Sequence, residues 1–394
     1  MSTQASTFHA AAGVRAKERS AAATVPWYLW MATLAVTCAM TGIHWDISWH
    51  RSIGRDTFWT PPHLLIQLCG VLAGITCGYL ILATTMGKNP ELKPSCVRIW
   101  GLYGPLGAFI AAWGGVAMIT SAPFDDWWHQ AYGLDVKIIS PPHMVLALGI
   151  VSVEVGALIL LLAFLNRASE EAKPMLRWMF LYIASMILVI TATILMEETF
   201  IVVLHAAYPY EVLGFVLPFV LLSMGRASGD KWGATIIAGV YTVFYLLLLW
   251  ILPLFPAEPK LGPVLHPVTQ FIPPGFPLAV LVPAFLMDWI SSRFRETPKW
   301  LPYLLGAVCF LTFLAAEWPL AGFLLQSPAA QNPIFGSIYR DYIEGPRSYI
   351  ALHRFIPREP LGLFGERLLI GLCASMVMAR AAFASAAWMK RVRR

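Results

Sequence analysis

Charge is what this sequence has least of. Of its 394 residues only 13% are Asp, Glu, Lys or Arg, while 58% are hydrophobic and the mean hydropathy is +0.65. Soluble domains carry about a quarter charged residues, so a water-soluble fold is excluded and an all-α polytopic membrane bundle is expected. Cysteine is scarce too. The six (Cys38, Cys69, Cys77, Cys96, Cys309, Cys373) include no C-x-x-C pair and five fall inside apolar runs, which argues against a disulfide framework or a zinc knuckle. No P-loop, G-x-G-x-x-G, G-x-S-x-G or H-E-x-x-H is present, so nucleotide, dinucleotide, acyl-transfer and zincin chemistry find no support. The net charge of +6 implies no nucleic-acid partner, because the basic residues flank apolar runs, where they set membrane orientation.

Ten spans are predicted, near 27–43, 63–86, 102–122, 143–165, 175–196, 210–224, 232–254, 275–290, 300–314 and 361–389, judged against the roughly 20 apolar residues a bilayer requires. The sixth and eighth contain Pro218 and Pro277/Pro283 and are expected to be tilted, broken or partly re-entrant. Residues 1–26 form a polar, basic tail. No small-residue cleavage site follows the first run, so that run is expected to be an uncleaved span. Threading the spans alternately gathers Arg15/Lys17/Arg19, Lys88/Lys93/Arg98, Arg167/Lys173/Arg177, Arg226/Lys231, Arg293/Arg295/Lys299 and the terminal basic run on one side, which predicts cytoplasmic termini. The other side receives every histidine except His9. The chain divides into membrane halves at 27–228 and 229–394, with a loop near 325–360 expected to cap the outer face.

That histidine bias leads to one stretch, His44 to His63. Asp46 and His50 stand four apart, which on a helix puts carboxylate and imidazole on one face, one turn from each other. Twelve residues later Pro61-Pro62 can open a new helix with His63 in its first turn, folding a third ligand back toward the first two. The pattern recurs with one residue inserted: Asp125, His129 and His143 keep Asp at −4, Gly at +4, Asp at +6 and a Ser/Thr-Pro-Pro-His ending. Two imidazoles and a carboxylate suit copper, zinc or iron, and spacing alone does not choose among them. Helical spacing favours Asp125 over its neighbour Asp126.

The surrounding residues admit two readings each. Asp56 and Asp135 are either acceptors that orient an imidazole N–H or simple turn residues. Trp45, Trp49, Trp59, Trp127 and Trp128 read as an interfacial belt, and would also line a dry pocket for an apolar substrate. His44 lies on another helical face and is an outer candidate only. Glu154, three turns beyond His143 in the fourth span, is either a proton relay or a neutral acid holding two helices together. Glu197, Glu198 and His205 end the fifth span, with Glu198 and His205 on one face; without Pro-Pro-His this third copy is weak.

At the stretch DISWHRSIGRDTFWTPPH, with Asp46-x3-His50-x12-His63, and again at Asp125-x3-His129-x13-His143, the sequence resembles the C subunit of the copper membrane monooxygenases, the particulate methane and ammonia monooxygenases. The likeness covers roughly residues 27–165. It implies a copper site at Asp46, His50 and His63, and a neighbouring copper site whose first ligand in the family is Asn where this chain has Asp125, an added negative charge. Residues 273–288 and Glu317-Trp318-Pro319 are faintly similar to the membrane-embedded A subunit, which would make the chain a C-like and A-like fusion. Nothing resembles the B subunit, so the chain either recruits such a cupredoxin-like partner or works without one, with quinol or a periplasmic carrier expected as electron donor. An oligomer in a bacterial inner or intracytoplasmic membrane is expected, oxidising a small apolar molecule that arrives through the lipid. The rival reading is a metal- or proton-coupled transporter or metal-delivery protein built on the same His/Asp residues.

Overall fold

The structure, a computed structural model, describes residues 25–54, 59–133, 140–260 and 267–394. Asp56, Asp135, His9 and His266 lie outside the described residues. Among the described residues ten α-helices are present: α1 (Trp27–Ser52), α2 (Pro61–Thr85), α3 (Leu106–Tyr132), α4 (Pro141–Leu165), α5 (Lys173–Ile194), α6 (Tyr208–Ala227), α7 (Gly233–Ile251), α8 (Leu281–Ser291), α9 (Leu301–Gln326) and α10 (Leu361–Met389). Eight of them, all but α1 and α8, are long and apolar enough to cross a bilayer, so this is an integral membrane protein. At 26 residues α1 is as long as the others, but its Trp, Thr, His and Asp residues make it less apolar.

Several boundaries differ from the expected ones, each for a local reason. The first helix runs on to Ser52, carrying Asp46 and His50 on one continuous cylinder. The third begins at Leu106, not 102, because Val97–Ile99 and Leu102–Gly104 form a two-stranded antiparallel hairpin. Its two-residue turn is Trp100-Gly101, both at positive φ, as a type I′ turn requires. The sixth helix is unbroken over 20 residues despite Pro218. The ninth extends to Gln326, past Glu317 and Pro319. Beyond Ile194 the chain leaves the helix and passes through the 3-10 turn Ile201–Val203, so Glu198 and His205 do not share a helical face.

The eighth span is broken, as its prolines suggested. The backbone from 271 to 280, rich in proline, forms no helix, and α8 supplies only 11 residues. Non-helical backbone at membrane depth persists only where protein groups satisfy it, and two helices, α1 and α9, do so here. Ser52 Oγ accepts from the Ile272 N–H at 2.7 Å and Ser48 Oγ donates to the Ile272 carbonyl at 2.6 Å, both from α1. Glu317 Oε2 on α9 accepts from the Ala279 N–H at 2.7 Å. At the far end Asp288 of α8 accepts from the N–H and hydroxyl of Thr235, at the start of α7. Extended stretch and half-helix together therefore traverse the bundle.

Glycine sets how closely the first four helices approach. A Cβ at Gly107 would lie 2.4 Å from the Gly156 carbonyl oxygen, and one at Gly114 would lie 2.7 Å from that of Gly149, so α3 and α4 touch backbone to backbone at two levels. This is the small-residue packing that associates helices where lipid removes any hydrophobic drive. The end of the bundle opposite the α1–α2 and α3–α4 connections gathers basic loops. There Arg167 bonds to Ser95, Arg177 lies 3.9 Å from Asp230, and Asn166 donates to the carbonyls of Met389 and Val392.

Gly107→Val is expected to cost about 3 kcal/mol or more, the upper range for overpacking. Gly78, whose Cβ would meet nothing within 4 Å, should accept Ala neutrally or gain up to about 1 kcal/mol. Thermal unfolding of both variants in one detergent checks the contrast.

Candidate metal centre

The α1–α2 connection closes the first set. Asp46 and His50 face the same way one turn apart near the end of α1, and Pro61-Pro62 occupies the first two positions of α2, leaving His63 third. Asp46 Oδ2 lies 3.5 Å from His50 Nε2 and Asp46 Oδ1 lies 3.2 Å from His63 Nε2. One ligand atom from each of the three residues falls within 4.8 Å of the others, close enough for a single ion with bonds near 2 Å.

The second set repeats the contacts more loosely. Asp125 Oδ2 is 3.4 Å from His129 Nε2, and Asp125 Oδ1 is 3.6 Å from His143 Nε2. Ser140 caps α4 by accepting from the His143 N–H. Among the described residues the first set is the group of three that meets the 4.8 Å criterion. His63, Asp125 and His143 line one small pocket, so both sets sit at the same end of the bundle and next to each other.

Two glycines hold the imidazoles. The Gly54 carbonyl accepts from His50 Nδ1 at 3.3 Å, and the Gly133 carbonyl accepts from His129 Nδ1 at the same distance. Gly54 has φ 95° and Gly133 φ 85°, a region glycine adopts without penalty, and each turns its carbonyl back over the helix end. A carbonyl only accepts, so Nδ1 carries the proton and the Nε2 lone pair of a neutral ring points at the carboxylate. Asp46 Oδ1 and Asp125 Oδ1 are buried and accept no hydrogen bond. Lone pairs of two imidazoles and a carboxylate thus converge, an arrangement satisfied by ring protonation or by one shared cation. The donor set of two nitrogens and one oxygen fits copper, zinc or iron. The Gly at +4, visible in the sequence without a stated role, is the signal for these orienting carbonyls.

The remaining candidates divide. Asp126 is exposed and accepts from Gln130, as helical spacing favoured. Glu154 is 1% exposed, and neither carboxylate oxygen has a hydrogen-bond partner. His44 is buried away from the set, with Nδ1 donating to Met40 O and Nε2 near the hydroxyls of Tyr245 and Thr193. His205 stacks between Trp318 and Phe355 and bonds to the Trp318 carbonyl; burial lowers its pKa, and its role is packing. The tryptophans do not line the pocket between the two sets, whose apolar walls are Ile66, Ala122, Pro142 and Leu146. Trp59 and Trp127 are exposed, as an interfacial belt requires, while Trp45 and Trp49 pack with Phe271 and Leu248.

Compared with known proteins, the chain matches no family model, no curated protein and no solved structure.

Asp46→Ala is expected to lower affinity for a divalent metal by more than about 100-fold, beyond the 10–100-fold typical of lost outer partners. Asp126→Ala should leave affinity unchanged. Competition with a chromogenic chelator measures both.

Proposed function

We propose that the chain is a copper-dependent membrane monooxygenase, or the metal-binding subunit of one, acting with O2 on a small apolar substrate. The observation that carries this reading is the convergence of Asp46, His50 and His63 within 4.8 Å, in the ligand order of the copper membrane monooxygenase C subunit that the sequence resembles. Copper held there would supply the oxygen chemistry, one atom of O2 going to the substrate and the other to water, with two electrons from a quinol or a periplasmic carrier and two protons from the quinol or from solvent.

This chain's residues have narrower tasks. Asp46 offsets the charge of the cation, and Gly54 fixes the His50 ring so that Nε2 faces inward. Ile66, Pro142 and Leu146 form the apolar walls of the small pocket between the two sets, about 20 Å³ in volume, and limit the water that reaches it. Asp125, His129 and His143 form a second metal site, and the corresponding contacts in the two hairpins support an internal repeat. Glu154, three turns along α4 from His143 and without a hydrogen-bond partner among the described residues, would carry protons toward that site. The gathering of basic loops at the opposite end supports cytoplasmic termini and metal sites on the extracytoplasmic side. A cupredoxin-like subunit and an oligomeric assembly complete the proposal.

A second reading, metal- or proton-coupled transport, draws on the broken span at 271–291 and on Glu154, both features that transporters use.

Membranes from cells carrying the gene with any needed partner, loaded with copper, are expected to consume O2 in a substrate-dependent way. Asp46→Ala and His50→Ala should abolish this while the folded protein accumulates normally. A wild type that retains only zinc under copper-replete conditions, with no redox-dependent spectrum, would move the assignment to transport or structural metal.

A further inference from the structure

A larger cavity, of about 140 Å³, is lined by His44, Ile47 and Arg51 of α1 and shares no residue with the metal sets. It is bounded by α1, α5, α7, α9, the extended stretch of the broken span and the outer loop before α10. One water needs only about 10–15 Å³ by this kind of measure, so the space can take a polyatomic group. Its charged lining residues are Arg51, Arg340 and Glu317, two cations against one carboxylate.

The carboxylate is already engaged, since Glu317 Oε2 accepts from the Ala279 N–H. The cations are not balanced. Arg340 spends one N–H on the Leu324 carbonyl, 2.8 Å away; burial lowers its pKa to about 10, so it stays charged at neutral pH. Among the described residues Arg51 makes no hydrogen bond or ion pair, and Arg340 makes no ion pair. A guanidinium without a counter-charge beside a largely apolar cavity favours an anion that can enter it. The backbone adds donors, because the N–H groups of Gly275 and Phe276, on the cavity wall, also lack an acceptor among the described residues. A Cβ at Gly275 would meet nothing within 4 Å, so this donor wall is open.

A cavity lined by two guanidinium groups against one carboxylate that is already bonded selects an anionic ligand rich in acceptors. We propose that it binds a phosphate-type oxyanion, on a lipid headgroup or free, held between Arg51 and Arg340 with the backbone at Gly275 and Phe276 closing one side. Guanidinium is the group best shaped for this, since its fork of N–H donors matches two oxygens of one phosphate. The inference goes beyond the monooxygenase reading and does not depend on it.

The test uses the full-length protein in nanodiscs of neutral phosphatidylcholine, with inorganic phosphate in one arm and added phosphatidylglycerol in the other. Saturable binding, read by calorimetry for phosphate and by native mass spectrometry for the lipid, is expected in at least one arm; which arm responds identifies the source. Arg51→Gln should weaken that binding by at least about tenfold, the loss of one charge-assisted contact, and Arg51→Lys should restore part of it. Lys299→Gln, on an exposed loop, should change nothing. Arg340→Gln also removes the bond to Leu324, so its effect is read only if unfolding of the unliganded protein is unchanged. Absence of saturable binding in both arms, or binding that Arg51→Gln leaves intact with the fold preserved, overturns the proposal.

Discussion

In hydrocarbon no water is available to complete a hydrogen bond, so every polar group in this bundle must find its partner within the protein. Most of the structure follows from that constraint. Helices satisfy their own backbones, Thr and Ser side chains return to carbonyls one turn back, and the non-helical passage 271–280 is bonded by Ser48, Ser52 and Glu317. What the constraint leaves over is informative. Asp46, Asp125 and Glu154 each keep buried carboxylate oxygens without a hydrogen bond, and two of the three stand against paired imidazoles.

The glycine contacts make that arrangement possible. Because α3 approaches α4 at Gly107/Gly156 and Gly114/Gly149 and approaches α2 at Gly115/Gly70, the end of α3 lies beside the starts of α2 and α4, and His63, Asp125 and His143 come to share one pocket. The two sets are not equivalent, however: the first satisfies a single-ion geometry and the second is more open. Asp125 brings a full carboxylate to the second set without closing it as tightly. This difference fits a primary site at Asp46/His50/His63 and a secondary one beside it.

Much of the site was legible because it rests on short-range rules. Four-residue spacing brings Asp46 to His50 on one helix, and Pro-Pro at a helix start fixes where His63 points, so local geometry alone predicted the convergence. The parts that escaped depend on tertiary partners. Leu102 belongs to a strand only because Trp100 and Gly101 form a tight turn, and α9 continues past Glu317 because that carboxylate has the Ala279 N–H to meet it. The tryptophans suggested a pocket lining that Ile66, Pro142 and Leu146 supply instead, since interfacial and pocket-lining aromatics look alike in sequence. The cavity between Arg51 and Arg340 joins residues almost 300 positions apart, beyond any spacing rule.

X-ray absorption at the copper edge on the purified, copper-loaded protein tests the central claim most directly. Two imidazole nitrogens and a carboxylate oxygen on one ion, with metal–ligand distances near 2 Å, are predicted, with the imidazole signal reduced in His50→Ala and in His63→Ala. A copper-loaded wild type without imidazole scattering, or one whose spectrum both substitutions leave unchanged, would contradict a metal centre at Asp46, His50 and His63.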